Sequence, residues 1–241
     1  MKIATAAYPL DWLESWNHYE DKLSKWVSDA AGNGADLLVF PEYGAMELAT
    51  LDGAEIAGNL EASIQSVSDK MEEAAALHLK LAAEHNVHIL GASAPVHAGF
   101  ARPVNRAEFY TPTGQRDHQD KQIMTMFERA PWDIASGGPL KMFDTALGKI
   151  AVLICYDSEY PLLAMARALE QQCITVMASV IGSAAWSEAV DEGCGMGGIF
   201  GPPDTGFPGT GVISEGTLNQ PGWTYGEVDL KAVHHVRRAG V

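Results

Sequence analysis

The order of the predicted elements indicates a layered α/β or α+β domain built on a mixed β-sheet. Helical patterns alternate with short apolar strands in the first half of the chain, which is typical of helices packed on a sheet. Hairpin-like pairs of segments add antiparallel strands, so the sheet is expected to be mixed. The 241 residues contain no internal repeat or low-complexity linker, which predicts a single domain over residues 1–241.

The first half of the chain contains two helical patterns and three apolar strands. Apolar residues recur at helical spacing over residues 16–30, and the Gly-Asn-Gly of residues 32–34 is expected to end that helix. Ser66 and Asp69 resemble a capping box, so a second helix is predicted from there to Asn86. The strands are predicted at residues 3–8, 36–40 and 87–93.

The second half of the chain is predicted to begin with a hairpin. Residues 105–111, followed by Gly114 and Gln115, carry that pattern. Residues 182–222 are rich in Gly and Pro, which indicates ordered loops between short strands. The other predicted elements are, in order, an apolar strand at 149–155, a helix at 161–172, an apolar strand at 174–179 and a closing strand at 223–229.

Charge and cysteine usage exclude several classes of protein. The formal net charge of −15 opposes binding to nucleic acid or to an anionic membrane surface. No apolar run approaches the roughly 18 residues of a membrane span, and the first residues do not resemble a secretory signal. The three cysteines form no CxxC pair and no HExxH motif is present, which argues against disulfides or a metal site. We therefore expect a cytoplasmic protein without a bound metal.

Three polar residues lie where predicted strands or hairpins end, the usual position of sites in layered folds. Glu42 follows the apolar strand at 36–40, Lys121 follows the hairpin, and Cys155 ends the strand at 149–155. Taken singly, they are most simply a surface carboxylate, a solvated lysine and an inert core cysteine. Together, a thiol, a carboxylate that can take its proton and an ammonium group that can stabilise an oxyanion are the parts needed for acyl transfer from an amide.

The sequence around these three residues carries a specific resemblance. Phe40-Pro41-Glu42, Asp120-Lys121 and Ile154-Cys155-Tyr156-Asp157-Ser158-Glu159-Tyr160-Pro161 resemble, in order and spacing, the signature of the nitrilase superfamily of carbon–nitrogen hydrolases. The resemblance extends from Lys2 to roughly Asp229. It implies a four-layer α-β-β-α sandwich with the helix after Cys155 close to the thiol, where its N-terminus would lower the thiol pKa.

The resemblance also implies a role for each site residue. Cys155 would be the nucleophile, Glu42 the general base and Lys121 the oxyanion stabiliser. Glu128 stands where many members carry a second glutamate that positions the substrate and the lysine, although alone it would be interpreted as a loop ion pair. The backbone N–H of Tyr156 would help to bind the oxyanion. The implied reaction hydrolyses a small non-peptide amide through a thioester and needs no cofactor.

Two alternatives remain beside the amidase. True nitrilases resemble a branch with Cys-Trp-Glu at the nucleophile, whereas this chain has Cys-Tyr-Asp at residues 155–157, which favours an amidase over a nitrile hydrolase. A catalytically silent homologue with a binding or assembly role is the other alternative. Family resemblance further implies a homodimer or a larger homo-oligomer with a small-molecule amide substrate, and no nucleic-acid or membrane partner.

The chain departs from the family pattern after Ala164. The segment 159–164 resembles the start of one family helix and 165–172 the end of a later one, so a strand–helix unit of roughly 30 residues is predicted to be lacking. Such a loss would leave a gap in one sheet. Three explanations are open: a natural deletion with new strand pairing, a truncated gene, or a sequence that omits an unseen segment. The last predicts a chain break near residues 163–167.

Overall fold

The computed structural model describes residues 1–158 and 171–239. The first part contains β1 (Lys2–Pro9), α1 (Trp16–Gly32), β2 (Leu37–Val39), a 3₁₀ segment (Gly44–Asp52), α2 (Ala54–Ala57), α3 (Leu60–His85), β3 (His88–Leu90), β4 (Ala94–Val96), β5 (Val104–Tyr110), β6 (Arg116–Asp120), α4 (Met126–Arg129), β7 (Phe143–Thr145), β8 (Gly148–Ile150) and a 3₁₀ turn (Cys155–Asp157). The second part contains β9 (Thr175–Met177), β10 (Ser179–Ser183), β11 (Glu192–Gly193), β12 (Gly198–Phe200), β13 (Val212–Glu215), β14 (Gly222–Glu227) and α5 (Leu230–Ala239).

The predicted mixed sheet is confirmed. Its strand order is β11-β10-β1-β2-β3-β5-β4, with β14 also paired to β1 and β6 to β5. The pairs β1–β2, β2–β3 and β1–β10 are parallel, whereas β5 pairs antiparallel with β3, β4 and β6. The hairpin predicted from residue 105 is β5–β6. It brings the end of β6 to the start of β5, because strands joined by a hairpin run in opposite directions.

Each central strand separates two hydrophobic cores, because successive side chains of a strand point to opposite faces. Ala4, Ala6 and Tyr8 of β1 pack with the buried faces of α1 and α3. Ile3 of the same strand packs instead with Phe143 and with residues of β12. The large sheet therefore lies between a helical layer and a second β layer, as expected for a sandwich.

The second β layer consists of two separate ladders in the described part of the chain. One is the hairpin β7–β8, and the other has the order β13-β12-β9. The strand predicted at 149–155 is wrong in extent: pairing ends at Ile150, although Val152 and Ile154 are buried as predicted. Val152 and Ile154 thus have buried side chains, although residues 151–154 belong to no strand ladder among the described residues.

Other sequence predictions are corrected by the structure. The capping box at Ser66 is wrong, because the N-cap of α3 is Asn59, seven residues earlier in the chain, where Asn59 Oδ1 accepts the Ala62 N–H at 2.9 Å. The strand predicted at 174–179 is two strands, β9 and β10, in different sheets. The C-terminal helix α5 was not predicted. The helix predicted at 161–172 and the chain break predicted at 163–167 lie outside the described residues, except for residues 171 and 172, which form a turn.

Candidate active site

Two of the predicted site residues lie next to strand ends of the large sheet. Glu42 follows β2 after Phe40 and Pro41, and Lys121 is the first residue after β6. Cys155 begins the 3₁₀ turn that follows residues 151–154, a segment with no strand partner in the described part of the chain. Cys155 and Tyr43, the residue after Glu42, both have a positive φ, at 45° and 53°. Such strained backbone in non-glycine residues is concentrated at functional sites.

Lys121 binds two carboxylates. Its Nζ lies 2.7 Å from Glu42 Oε1 and 2.7 Å from Glu128 Oε2, and its side chain is fully buried. We call these three residues the carboxylate–lysine cluster. Burial alone would lower the pKa of Lys121, but the two carboxylates outweigh burial and raise it, so the group is an ammonium ion. The structure therefore brings together Glu42, Lys121 and Glu128, as the sequence predicts.

Glu42 carries the carboxylate that contacts the thiol. Burial raises the pKa of Glu42 above its ordinary value, and the nearby Glu128 adds to the rise, whereas Lys121 and a hydrogen bond with the Cys155 side chain oppose it. About a fifth of the side chain (23%) is exposed. A carboxylate with a raised pKa is a better proton acceptor for a thiol than an ordinary one.

Glu128 has a different environment from Glu42. Its Oε2 accepts from Lys121 Nζ and from the Thr125 N–H at 2.9 Å, and its Oε1 accepts from the Tyr43 hydroxyl at 2.8 Å. Burial alone would raise the pKa of Glu128, but these donors outweigh burial and hold the pKa below its ordinary value. Thr125 Oγ1 in turn accepts the Glu128 N–H at 3.2 Å, which completes a capping box at α4. Glu128 is therefore a fixed carboxylate.

Tyr156 and Asp157 complete the turn that begins at Cys155. Tyr156 is half-buried in the middle of the turn. Asp157 was not among the predicted site residues. Its carboxylate accepts the backbone N–H of Ile123 at 2.8 Å, of Gln122 at 3.2 Å and of Ile154 at 3.3 Å. Asp157 therefore ties the Cys155 turn to the two residues that follow Lys121.

Sequence reasoning also missed Asn105 and Tyr43. Asn105, at the start of β5, is fully buried and donates to Glu42 Oε1 at 2.9 Å. A sequence signal existed for Thr125 and Glu128, since Thr-x-x-Glu is a capping-box pattern. Asn105 offered only the weak signal of a polar residue in a buried strand.

A cavity of about 420 Å³ opens beside the carboxylate–lysine cluster. Its apolar walls include the aromatic rings of Tyr43, Phe127 and Trp132. Two exposed acidic residues, Glu188 and Asp191, stand at its side. A cavity of this size fits a small molecule. The charged groups that line it in the described part of the chain are four carboxylates and one ammonium group.

Two further observations concern the described residues as a whole. None of the helices described is both long and apolar enough to cross a lipid bilayer. Within residues 1–158 and 171–239, no three His, Cys, Asp or Glu side chains are grouped so that they could hold a metal ion.

Sequence comparison relates the chain to known hydrolases. The family model described as Carbon-nitrogen hydrolase matches residues 2–196. The "Probable hydrolase YhcX" of Bacillus subtilis (strain 168) is 28% identical over 270 positions, which cover 100% of this chain and 52% of that protein. The 270 positions exceed the 241 residues of this chain by 29, about the size of the unit predicted to be lacking. The chain spans about half the length of the curated relatives it matches.

Structure comparison supports the same fold. A carbon–nitrogen hydrolase from Helicobacter pylori G27 superposes with a TM-score of 0.77 at 14% identity, covering 99% of this chain and 92% of that chain. An amidase from Nesterenkonia sp. AN1, whose active-site cysteine carries the product of Michael addition of acrylamide, superposes with a TM-score of 0.68 at 18% identity, covering 99% and 97%. These likenesses establish the mixed α/β sandwich.

Proposed function

The chain belongs to the carbon–nitrogen hydrolase family, and on this premise we propose that it hydrolyses the C–N bond of a small non-peptide amide. In this proposal Cys155 is the nucleophile, Glu42 the general base and Lys121 the oxyanion stabiliser. One observation carries the proposal: the buried ammonium group of Lys121 binds the carboxylate that also hydrogen-bonds the Cys155 side chain. The proposed site thus joins a proton acceptor to a thiol and to a positive charge.

The first half of the reaction forms a thioester. Glu42 takes the proton of Cys155, and the thiolate attacks the amide carbon. Lys121 has three N–H donors, and two of them are used by carboxylates of the described residues, so one is left for the oxyanion. The backbone N–H of Tyr156 is proposed as the second donor. The C–N bond then breaks, and the amine leaves with the proton from Glu42.

The second half of the reaction regenerates the thiol. Glu42, again a carboxylate, accepts a proton from water as the water attacks the thioester carbon. The same oxyanion donors act on the second tetrahedral intermediate. The C–S bond breaks, the acid product leaves and Cys155 recovers its proton. Glu128 keeps Lys121 charged and oriented throughout, and it faces the cavity, where it also positions the substrate.

The cavity lining bears on the range of substrates. Among the described residues, Glu42, Glu128, Glu188 and Asp191 line it together with the ammonium group of Lys121. The net negative potential of these groups would repel an anionic amide, would not repel a neutral amide and would attract a cationic one. We therefore propose a neutral or cationic amide with an apolar part that contacts the aromatic wall.

The test compares the reactivity of the three cysteines towards iodoacetamide. Cys194 is exposed, whereas Cys155 and Cys173 are half-buried, so exposure alone predicts that Cys194 reacts first. The proposal predicts that Cys155 reacts first and that Glu42→Gln removes this preference, while the exposed control Glu55→Gln leaves it intact. Ammonia release from a panel of amides, carbamoyl compounds and nitriles, with Cys155→Ala as the inactive control, then identifies the substrate class.

The alternative of a catalytically silent binding or assembly protein is favoured by one observation. The segment 151–154, which leads into Cys155, has no strand partner among the described residues. Slow labelling of all three cysteines and no ammonia release would support that alternative. Release from nitriles but not from amides would support a nitrile hydrolase.

A single domain and a cytoplasmic location are further proposals that rest on the sequence patterns, and a homodimer or larger homo-oligomer is one that rests on the resemblance. Light scattering during size-exclusion chromatography measures the oligomeric state directly.

A further inference from the structure

Asn105 has a buried carbonyl oxygen without a hydrogen-bond partner in the described part of the chain. Its side-chain amide is fully buried, and its Nδ2 donates to Glu42 Oε1 at 2.9 Å and to Glu128 Oε1 at 3.3 Å. A buried acceptor without a donor typically costs about 1–3 kcal/mol. Such a group in a native structure therefore calls for an explanation.

The orientation of this amide follows from its neighbours. Turning it over would place the carbonyl oxygen of Asn105 against two carboxylate oxygens with no hydrogen between them, which is repulsive. The amino group must therefore face Glu42 and Glu128. The backbone carbonyl of Asn105 also accepts the backbone N–H of Lys121 at 2.8 Å. One residue of β5 therefore contacts all three members of the carboxylate–lysine cluster.

We propose that Asn105 is a positioning residue of the amidase reaction, which selects the oxygen of Glu42 that receives the thiol proton. This inference rests on the proposed function. Asn105 Nδ2 and Lys121 Nζ both bind Glu42 Oε1. With two donors on Oε1, Oε2 is the oxygen that accepts the proton from Cys155. The S–H bond breaks, an O–H bond forms on Oε2, and the electron pair stays on the sulfur.

The charges around Glu42 determine what removal of Asn105 would do. Burial and Glu128 disfavour the ionised form of Glu42, whereas Lys121 and the Cys155 side chain favour it. The neighbouring Tyr43 has a pKa raised well above its ordinary value by burial and by Glu128, so its phenol stays neutral in the pH range of interest. A hydrogen bond donated to a carboxylate stabilises the charged form. Loss of the Asn105 donor, with the other groups unchanged, therefore moves the ionisation of Glu42 to higher pH.

The experiment measures the rate at which iodoacetamide alkylates Cys155 between pH 4 and 9 in the full chain, by peptide mass spectrometry. This probe needs no known substrate. Asn105→Leu keeps the approximate side-chain shape without the donor, and Asn105→Ala, which also lacks a donor, provides a second variant if the first does not fold. We expect the acid limb of the pH profile to move up by about one unit in either variant, which slows alkylation about tenfold below the midpoint.

Gln119→Leu is the matched control. Gln119 is also a buried amide, two residues before Lys121, but it bonds the Asp120 carbonyl and the Lys141 N–H instead of the cluster. A purely structural role of buried amides predicts that both substitutions shift the limb equally, and that result would overturn the inference. If the acid limb depends on Glu42 but does not move in either Asn105 variant, the inference about Asn105 is overturned while the proposed function stands. A wild-type profile that Glu42→Gln leaves unchanged would overturn the proposed function and the inference together.

Discussion

The two carboxylates that bind Lys121 are expected to respond differently to replacement by glutamine, because their donors are distributed differently. At Glu42, the donors Lys121 Nζ and Asn105 Nδ2 both reach Oε1. A glutamine there can keep both with its carbonyl oxygen and point its amino group towards Cys155. Glu42→Gln is therefore expected to remove the proposed general base with little loss of stability.

At Glu128, donors reach both oxygens. Oε1 accepts from Tyr43 and Asn105, and Oε2 accepts from Lys121 and the Thr125 N–H. A glutamine must direct its amino group at one of these pairs, so buried donors face another donor whichever way the amide turns. Glu128→Gln therefore leaves unsatisfied groups where Glu42→Gln leaves none.

The ion pair is weakened in both variants, because Lys121 keeps one carboxylate in each. The difference in magnitude follows from the donors that Glu128→Gln leaves without an acceptor, and a buried donor left unsatisfied costs about 1–3 kcal/mol. Each oxygen of Glu128 accepts from two donors, so we expect a loss of about 3 kcal/mol for Glu128→Gln. At this chain length, such a loss lowers Tm by about 6–12 °C. For Glu42→Gln we expect a change within about 1 kcal/mol.

The assay is urea unfolding at 25 °C, followed by circular dichroism, at pH 7 and near pH 4. The pKa of Glu128 is below its ordinary value, so its ionised form stabilises the fold at pH above the unfolded-state pKa of about 4.3. That contribution is lost as the pH falls through the lower folded-state pKa. The difference between Glu128→Gln and wild type should be full at pH 7 and smaller below about pH 4.

Equal losses of stability in Glu42→Gln and Glu128→Gln at pH 7 would refute the reasoning. So would a difference from wild type in Glu128→Gln that stays constant between the two pH values. Equal m-values in all three proteins would show that the comparison concerns the folded state.

Two further predictions concern the turn and the cavity. Asp157→Asn should accelerate hydrogen exchange of the Gln122 and Ile123 amides, because its carboxylate accepts both; unchanged exchange would show that Asp157 does not anchor this segment. A cationic amide should have a higher kcat/KM than an anionic amide of the same size, and Glu188→Gln combined with Asp191→Asn should reduce that ratio about two- to tenfold at low salt. A ratio insensitive to these substitutions and to salt would contradict the proposed electrostatic preference.

The fold was predictable where local patterns and packing agree. The apolar strand β1 and the helical spacing of α1 are visible in the sequence, whereas the division of β1 between two cores is known only from the structure. The start of α3 was not predictable from the sequence, because Ser66 matches the pattern of a capping residue although it lies inside the helix. Its hydroxyl donates to Asp52 at 2.6 Å instead of capping the helix. The separation of β9 from β10 was also hidden, since one apolar run can serve two sheets when the chain changes direction between them.

The candidate site was predictable only in part. Motif resemblance pointed to Glu42, Lys121, Glu128 and Cys155, and the structure places the first three in direct contact, with the Cys155 side chain hydrogen-bonded to Glu42. Asn105 was not found, because a single polar residue in a strand has no pattern until its neighbours in space are known.

By itself, the sequence determined the kinds of functional group available and their positions at strand ends, because hydrophobic periodicity and motif spacing are local properties of the chain. Only the tertiary structure decided that a lysine would be fully buried between two carboxylates, and that these carboxylates would have pKa values shifted in opposite directions. The physical reason is that burial, the number of donors and the oxygen each donor reaches depend on residues far apart in the chain, such as Tyr43 and Glu128, which are separated by 85 positions. Those quantities exist only after the strands have paired.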